Sequence, residues 1–278
     1  MKTATSIVFG VILGIAVIVM RAFFPDLFPW WTVFLITFAI IVIISIINIL
    51  IQNTAIKKID GIYDPDEKLA ALNKAMKRFV GNEKSQPHKL LKCQLLIIAG
   101  WTDLSKADNN SAFTAFEEAR IILTSQKPTA ITRQSIKQHE INIYAGLAQC
   151  LTHMGRFDEA EQVLSYFNAP IDNPLSYCIL QLVSADLLVH KGDTQRARVI
   201  IEDIAPKMQT ISENMKRPDV LYDVILVEAA ILMAEGDYEQ ARAKFESVLD
   251  NSGHYSHHRE AREAIAQIEN SLTEKELL

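Results

Sequence analysis

The distribution of apolar residues divides the chain into two parts. Apolar residues run almost without interruption from Ala4 to Met20 and again from Trp31 to Ile51, and neither stretch contains Asp, Glu, Lys or Arg. A helix that crosses a bilayer needs roughly 20 residues, with a range of about 17 to 25. Both stretches reach that length, so the sequence predicts two membrane spans, over residues 4–20 and 31–51.

The residues between the two stretches favour a tight turn. Arg21–Trp30 contains two prolines and several aromatic residues, and aromatic side chains favour the boundary between lipid and water. A cleavable signal peptide is the alternative for the first stretch, but no small-x-small cleavage site precedes the connector. We therefore expect residues 1–52 to form a transmembrane hairpin. Gly10 and Gly14 form a G-x-x-x-G pair that predicts a close helix contact, either within the hairpin or between two copies.

Basic residues next to the spans predict the orientation. Lys2 precedes the hairpin, and Lys57 and Lys58 follow it. Such residues concentrate on the cytoplasmic side of a membrane. We therefore expect both termini, and the domain that follows the hairpin, to lie in the cytoplasm at a bacterial inner membrane.

Charge and cysteine usage narrow the class of protein. The net charge is +4 over residues 53–92 and −10 over residues 93–278, so the larger part lacks the clustered basic face of a nucleic-acid-binding protein. The cysteines lie in apolar helical stretches without C-x-x-C spacing, which predicts reduced core residues in place of disulfides or a zinc site. They are Cys93, Cys150 and Cys178.

Beyond residue 52 the apolar residues recur at helical spacing. Residues 53–88 predict a juxtamembrane linker and one helix that starts at Asp64, because Asp can accept from the free N–H groups and the following proline suits the first helical position. Residues 89–278 continue with amphipathic helices and show no alternating strand pattern. The predicted fold class is all-α, closed by a capping helix over Glu260–Ile268.

Three segments repeat one turn pattern. Each contains a Gly, an Ala five residues later and an Ala seven residues earlier. Gly permits the left-handed conformation that ends a helix, and alanines let paired helices approach closely. We expect these residues to pack the repeats together: Ala148, Gly155, Ala160, Ala185, Gly192, Ala197, Ala229, Gly236 and Ala241.

The three segments resemble the tetratricopeptide repeat family, on the bulky residues around the first and third turns: Tyr144, Leu147, Phe157, Leu164, Tyr238 and Phe245. The resemblance implies a right-handed α-solenoid of helix pairs. An earlier pair over 89–125 is a degenerate repeat, in which Asp108-Asn109-Asn110 replaces the Gly turn. The Gly positions are 37 and 44 residues apart, against about 34 in the family, so insertions are expected at 168–174 and 207–218.

The resemblance also implies a partner-binding groove lined by the first helix of each pair. The family's inward positions fall on Asn142, Gln149, His153, Leu182, Asp186, Val189, His190, Asp223, Leu226 and Met233. None is Lys or Arg, which departs from family members that clamp a peptide carboxylate. The apolar members suit an amphipathic or apolar helical segment of a protein partner. Alternatively, these apolar side chains pack against neighbouring repeats.

Catalytic motifs are missing from the sequence. It contains no phosphate-binding loop, dinucleotide fingerprint, zinc-protease motif or nucleophile elbow. The cluster that most resembles a metal site is His254, His257 and His258, which is expected in an inter-helix loop without a paired carboxylate or Cys. We therefore expect no metal, no cofactor and no enzymatic activity.

Together these patterns favour a membrane-anchored interaction scaffold or assembly factor that presents its repeat domain to protein partners in the cytoplasm. The alternative is a structural subunit of a transport or cell-envelope complex, in which the hairpin makes the main contact. An enzyme with a site in the His-bearing loop is a third hypothesis.

Overall fold

The computed structural model describes residues 30–79, 86–126, 129, 132–167 and 171–276. Within these residues the chain forms helices and no strand, which confirms the all-α class. The helices are α1 (Trp30–Asp60), α2 (Pro65–Phe79), α3 (Gln86–Ser105), α4 (Asn109–Thr124), α5 (Arg133–His153), α6 (Phe157–Ser165), α7 (Pro174–His190), α8 (Thr194–Met215), α9 (Asp219–Ala234), α10 (Tyr238–Asn251) and α11 (Tyr255–Glu276).

The chain divides into two compact units, the first ending at Ile59 and the second beginning at Asp60. The first unit contains most of α1, whose side chains the structure describes in part. Several of its aliphatic side chains are exposed, among them Leu35 at 52%, Ile41 at 58% and Leu50 at 58%.

The predicted transmembrane hairpin is not found. Its first span, residues 4–20, lies outside the described residues, as do Gly10 and Gly14. In the part of the chain that the structure describes, no helix is long and apolar enough to cross a membrane.

The second unit starts with α2, at the position that the sequence predicts. The Asp64 carboxylate accepts a hydrogen bond from the Glu67 N–H at 2.8 Å. This bond satisfies one of the free donors at the helix start. Leu72 and Ala75 of α2 are buried, and the helix packs against α3.

Four helix pairs follow, and the same turn joins the members of the last three. Gly155, Gly192 and Gly236 have φ of 73°, 80° and 83°. A Cβ at these positions would meet nothing within 4 Å, so the backbone conformation is what requires glycine. The alanines on both sides of each turn are fully buried: Ala148, Ala160, Ala185, Ala197, Ala229 and Ala241.

The earlier pair, α3 and α4, has this turn as well. Ala107 occupies the glycine position with φ of 60°, Gly100 stands seven residues earlier, and the buried Ala112 stands five residues later. Asp108 is the N-cap of α4, and its carboxylate accepts from the Ser111 N–H at 3.1 Å. The expected replacement of the turn by residues 108–110 is therefore wrong, because the turn is present with alanine in place of glycine.

Replacing Ala107 with glycine should stabilise the protein. The left-handed conformation costs a residue with a Cβ about 1–2 kcal/mol, and glycine offsets part of this gain through its more flexible unfolded state, by about 0.4–1 kcal/mol. We expect a net gain of roughly 0.5–1 kcal/mol in the free energy of unfolding, measured by urea denaturation. The matched Gly192→Ala variant should lower the free energy of unfolding by about the same amount. Equal stability of both variants and the parent would contradict the assignment.

The predicted insertion at 207–218 is mostly helical. Helix α8 continues through Pro206 to Met215 and ends where Lys216 adopts φ of 53°. Buried apolar residues on both sides of the proline, Ile204 and Met208, anchor this helix in the core. Because their burial outweighs the missing proline N–H, the second helix of this pair is longer and no loop forms.

The cysteines are buried and unpaired, as the sequence predicts: Cys93, Cys150 and Cys178. Burial raises the pKa of Cys93 and Cys150 to about 12. A thiol with such a pKa stays protonated at neutral pH, so these residues are unreactive core side chains.

The C-terminal helix is longer than expected and has an additional contact. It runs from Tyr255 to Glu276, where the sequence predicted Glu260–Ile268. Ala261 and Ile268 are fully buried in a cluster with residues of α9 and α10. The helix also packs against α3, so the last helix of the array contacts the first repeat.

Candidate partner-binding surface

The first helices of successive pairs form one continuous inner surface, here called the concave surface. Each of α3, α5, α7, α9 and α11 packs against the next helix of this set, whereas successive second helices share no comparable contact among the described residues. In a curved stack, the helices that approach one another most closely lie on the inside. The inward positions predicted from the sequence lie on three of these helices, α5, α7 and α9.

One cluster on this surface joins two histidines to a partly buried aspartate, whose side chain is 18% exposed. His153 of α5 lies with Nε2 3.7 Å from Oδ2 of Asp186 on α7. His190, one turn further along α7, lies with Nδ1 3.4 Å from Oδ1 of the same carboxylate. No described donor lies within hydrogen-bond distance of Asp186 Oδ2. The sequence placed all three residues in the groove, and the structure brings them together.

The electrostatics of this cluster favour an ion pair. Burial alone would raise the pKa of Asp186, but the two histidines outweigh burial and hold the pKa below its usual value. In return, the hydrogen bond to Asp186 raises the pKa of His190 to about 9, against the effect of burial. At neutral pH the cluster therefore contains a carboxylate and a protonated His190.

A second cluster fixes the start of α11. His257 is 6% exposed, and its Nε2 lies 2.8 Å from Oδ1 of Asp223 on α9. Its Nδ1 lies 2.7 Å from Oγ of Ser252. His258 reaches the backbone of the same turn, with Nε2 2.6 Å from the Ser252 carbonyl oxygen. These bonds tie the turn before α11 to α9.

Ser252, His257 and Asp223 form a hydrogen-bonded series of the kind that activates serine nucleophiles. Their environment argues against that use. Ser252 is only 7% exposed, and its Oγ already accepts from the His254 N–H at 3.2 Å. The cleft described below does not include Ser252 or His257 among its lining residues. The three residues therefore stabilise the start of α11, and Ser252 is not accessible as a nucleophile.

The structure corrects the expectation for the three histidines. His254 lies in the turn, but His257 and His258 belong to α11. Carboxylates do pair with them, since Asp223 bonds His257 and Asp219 Oδ2 lies 3.4 Å from His254 Nε2. Even so, no group of three ligands in the described residues could hold a metal ion.

Arg259 of α11 binds the C-terminal end of α3. Its side chain is 16% exposed, and Nε donates to the carbonyl oxygen of Ser105 at 2.7 Å. Nη2 lies 3.5 Å from the carbonyl oxygen of Leu104. These carbonyls end α3, where helical carbonyls lack partners in their own helix and favour a cation. Arg259 thus links residues more than 150 positions apart in sequence.

A cleft of about 420 Å³ opens beside this contact. Tyr63, from the segment before α2, packs edge-on against Tyr255 with ring centroids 6.1 Å apart. The remaining lining residues are His258, Arg259, Arg262 and Glu263. The inward positions predicted on α5, α7 and α9 include no Lys or Arg, and the two arginines of this cleft come from α11.

The apolar groove positions divide between two core clusters. Leu182 and Val189 are half-buried against residues of α8 and α9. Leu226 is 7% exposed and, with Met233, belongs to the cluster that includes α10 and α11. The four side chains therefore belong to two separate clusters. Asn142 and Gln149 are half-buried on α5.

The contribution of α11 to this surface could not be found from the repeat pattern. The helix lacks the Gly turn that marks the other pairs, and its partners lie on α3 and α9. One signal was available in the sequence, since Ala261 lies eight residues after Gly253 at a position that can permit close packing. That spacing is weak because it does not match the pattern of the three repeats.

This succession of helix pairs, joined by left-handed turns around one inner surface, defines an all-α helical repeat protein. The family model described as Tetratricopeptide repeat protein 21 ARM repeat matches residues 92–222. The match confirms the predicted resemblance to helical repeats of tetratricopeptide type over that region. A comparison with the curated proteins found no match, and a comparison with the solved structures found none either.

Proposed function

We propose that this protein is a membrane-anchored scaffold or assembly factor whose repeat domain binds a protein partner in the cytoplasm and catalyses no reaction. The concave surface is the main support for this proposal. Histidines and carboxylates from successive repeats converge there. Helical repeat proteins use such surfaces to bind extended or helical segments. The partner class that fits is a protein segment with both apolar and charged side chains.

Membrane anchoring through residues 1–52 is the second part of the proposal. The segment 31–51 lacks charged residues, and the described aliphatic side chains along it are about half exposed. Exposure of such side chains to water costs about 25 cal/mol per Å² of apolar surface. Lipid would remove this cost, and Lys57 and Lys58 favour a cytoplasmic side for the residues that follow.

The same exposed side chains of α1 support a second candidate function. A helix with aliphatic side chains exposed along its length can pack against other membrane proteins as well as lipid. In that case the protein would be a subunit of a larger membrane complex, with α1 as its main contact. The two candidates differ in which surface touches the partner.

Site-specific photo-crosslinking in the full-length protein tests both candidates. A crosslinking residue at Gln149 on the concave surface should give a discrete protein adduct, whereas one at the 62% exposed Val199 of α8 should give none. Half-burial of Gln149 leaves room for contact with a bound segment. Adducts only from Leu50 of α1 would favour the subunit function, and adducts from Val199 alone would contradict both.

Alkaline extraction of membranes completes this test. The full-length protein should stay in the membrane pellet, while residues 60–278, which form a compact unit of their own, should be released. Release of the full-length protein would contradict the anchor without bearing on the scaffold.

A further inference from the structure

Three segments that are far apart in sequence meet at one place, here called the junction. They are residues 60–68, which lead from α1 into α2, residues 104–106 at the end of α3, and residues 255–259 at the start of α11. Each segment contacts the other two. Because α3 and α11 are the first and last helices of the concave surface, the two ends of that surface are joined at the junction.

Two polar contacts of the junction involve the end of α3. The Lys106 ammonium donates to Oδ1 of Asp66 at 2.6 Å, which joins residues 60–68, here called the strap, to α3. Nε of Arg259 donates to the Ser105 carbonyl oxygen at 2.7 Å, which joins α11 to the same end. The end of α3 is therefore held from both sides.

Tyr63 supplies the contact between the strap and α11. Its ring lies edge-on to the rings of Tyr255 and His258, with centroids 6.1 Å and 6.5 Å away. Its hydroxyl lies 3.4 Å from Nδ1 of His258. Nε2 of His258 lies 2.6 Å from the Ser252 carbonyl oxygen, which only accepts, so Nε2 carries the proton and Nδ1 can accept from Tyr63. Tyr63 is 53% exposed, so this contact can open without unpacking the core.

The strap is also tied to the last residue of α1. The Lys68 ammonium donates to the Asp60 carbonyl oxygen at 3.0 Å and lies 3.7 Å from the Asp60 carboxylate. The Lys68 side chain is 19% exposed. The end of α1 is therefore joined to the first turns of α2, and a displacement of that end would be passed to the strap.

We propose that the strap holds the two ends of the array together, and that the closure of the concave surface therefore depends on how the end of α1 is held. Single contacts between exposed charged side chains contribute little. Three contacts that close a triangle stabilise one another, because the first two already order the segments that the third joins. This inference goes beyond the proposed function and does not depend on it, since the strap, α3 and α11 all lie within the second unit.

Hydrogen–deuterium exchange of the full-length protein tests the first part of the proposal, with the amides of α8 as the reference for global unfolding. Tyr63→Ala should raise the exchange of amides 258–262 by about twofold to tenfold, the range expected for loss of an edge-on aromatic pair. Amides 104–107 should also exchange faster, although the Tyr63 ring packs against α11. Tyr166→Ala is the matched control, because Tyr166 is 72% exposed and stacks on Tyr144 elsewhere in the array. It should leave both segments unchanged.

Lys68→Met tests the second part, the tie to α1. Among the described residues, Lys68 has its hydrogen bond and ion pair with Asp60 and none with α3 or α11. The exchange of amides 258–262 should nevertheless rise about twofold to fivefold, the range for an exposed ion pair. Lys68→Arg retains the cation and should behave like the parent. Lys74→Met removes a charge from the exposed face of α2 and should have no effect.

Two results would overturn the proposal. Faster exchange of amides 258–262 in Tyr63→Ala, with no change at amides 104–107, would mean that Tyr63 makes only a local contact and that the strap does not join the ends. Exchange in Lys68→Met that equals that of the parent, or of Lys74→Met, would mean that the junction is independent of α1.

A second variant covers the case in which Tyr63→Ala does not fold. Tyr255→Ala removes the other ring of the pair and should give the same pattern of exchange at both segments; an unchanged end of α3 would again count against the strap. The measurement needs neither a partner nor a membrane. Its failure would therefore leave the proposed function standing, and loss of the Gln149 adduct would refute the scaffold function without bearing on the strap.

Discussion

Replacing Phe116 with alanine should lower the free energy of unfolding by about 3–5 kcal/mol. Phe116 of α4 is fully buried and packs edge-on against Trp101, with ring centroids 5.4 Å apart. Its ring fills the space beside two glycines, since a Cβ at Gly100 or Gly146 would come within 2.7 Å or 2.3 Å of it. Removing the ring leaves a cavity. The two adjoining helices cannot move in to fill it, because they already pack as closely as they can.

Thermal unfolding measures this effect. At roughly 2–4 °C per kcal/mol for a domain of about 150–250 residues, the melting temperature should fall by about 6–20 °C. Phe113→Ala is the matched control, because Phe113 lies on the same helix, is half-buried and packs beneath Arg156. An equal loss in both variants would mean that the glycine-lined site around Phe116 is not the tightest part of this repeat.

Replacing Leu226 with lysine should be about as damaging, with a loss of roughly 4 kcal/mol or more. Leu226 is 7% exposed in the cluster of α9, α10 and α11, where an ammonium group would lose its hydration. Leu182→Lys at the equivalent position of α7 should cost far less, because that half-buried side chain can direct its charged end to water. Urea denaturation compares the two.

The difference in stability between the two variants determines which of them can test partner binding at the concave surface. Leu182→Lys is the variant that reports on partner binding, because its fold should persist. A Leu226→Lys protein that unfolds like the parent would instead place Leu226 on an open surface.

The local parts of the fold could be predicted from the sequence. Gly155, Gly192 and Gly236 identify turns because a positive φ is a property of a single residue and its neighbours. The first repeat was harder to recognise, since Ala107 adopts the same conformation at an energetic cost. The length of α8 was not predicted, because the wide spacing of the Gly turns indicated an insertion at 207–218. Buried neighbours instead continue the helix through Pro206, a residue type that usually ends one.

The candidate site depends on contacts that no local pattern contains. The pairing of His257 with Asp223 joins residues 34 apart, and the bond of Arg259 to Ser105 joins residues 154 apart. The inward positions on α5 and α7 could be derived from the repeat register. The contacts of α11 with α9 and α3 could not, because they depend on the curvature accumulated over the whole array.

The contact between α3 and α11 has a consequence for the order of folding. A linear repeat array can nucleate anywhere and grow between neighbours, but a bond across 154 residues requires that the intervening repeats are already in place, because closing so long a loop is entropically costly. The Arg259 bond should therefore be among the last to form and the first to fail. A chain with any one repeat misfolded would leave the carbonyl end of α3 uncovered, so this contact acts as a test of whether the whole array is complete.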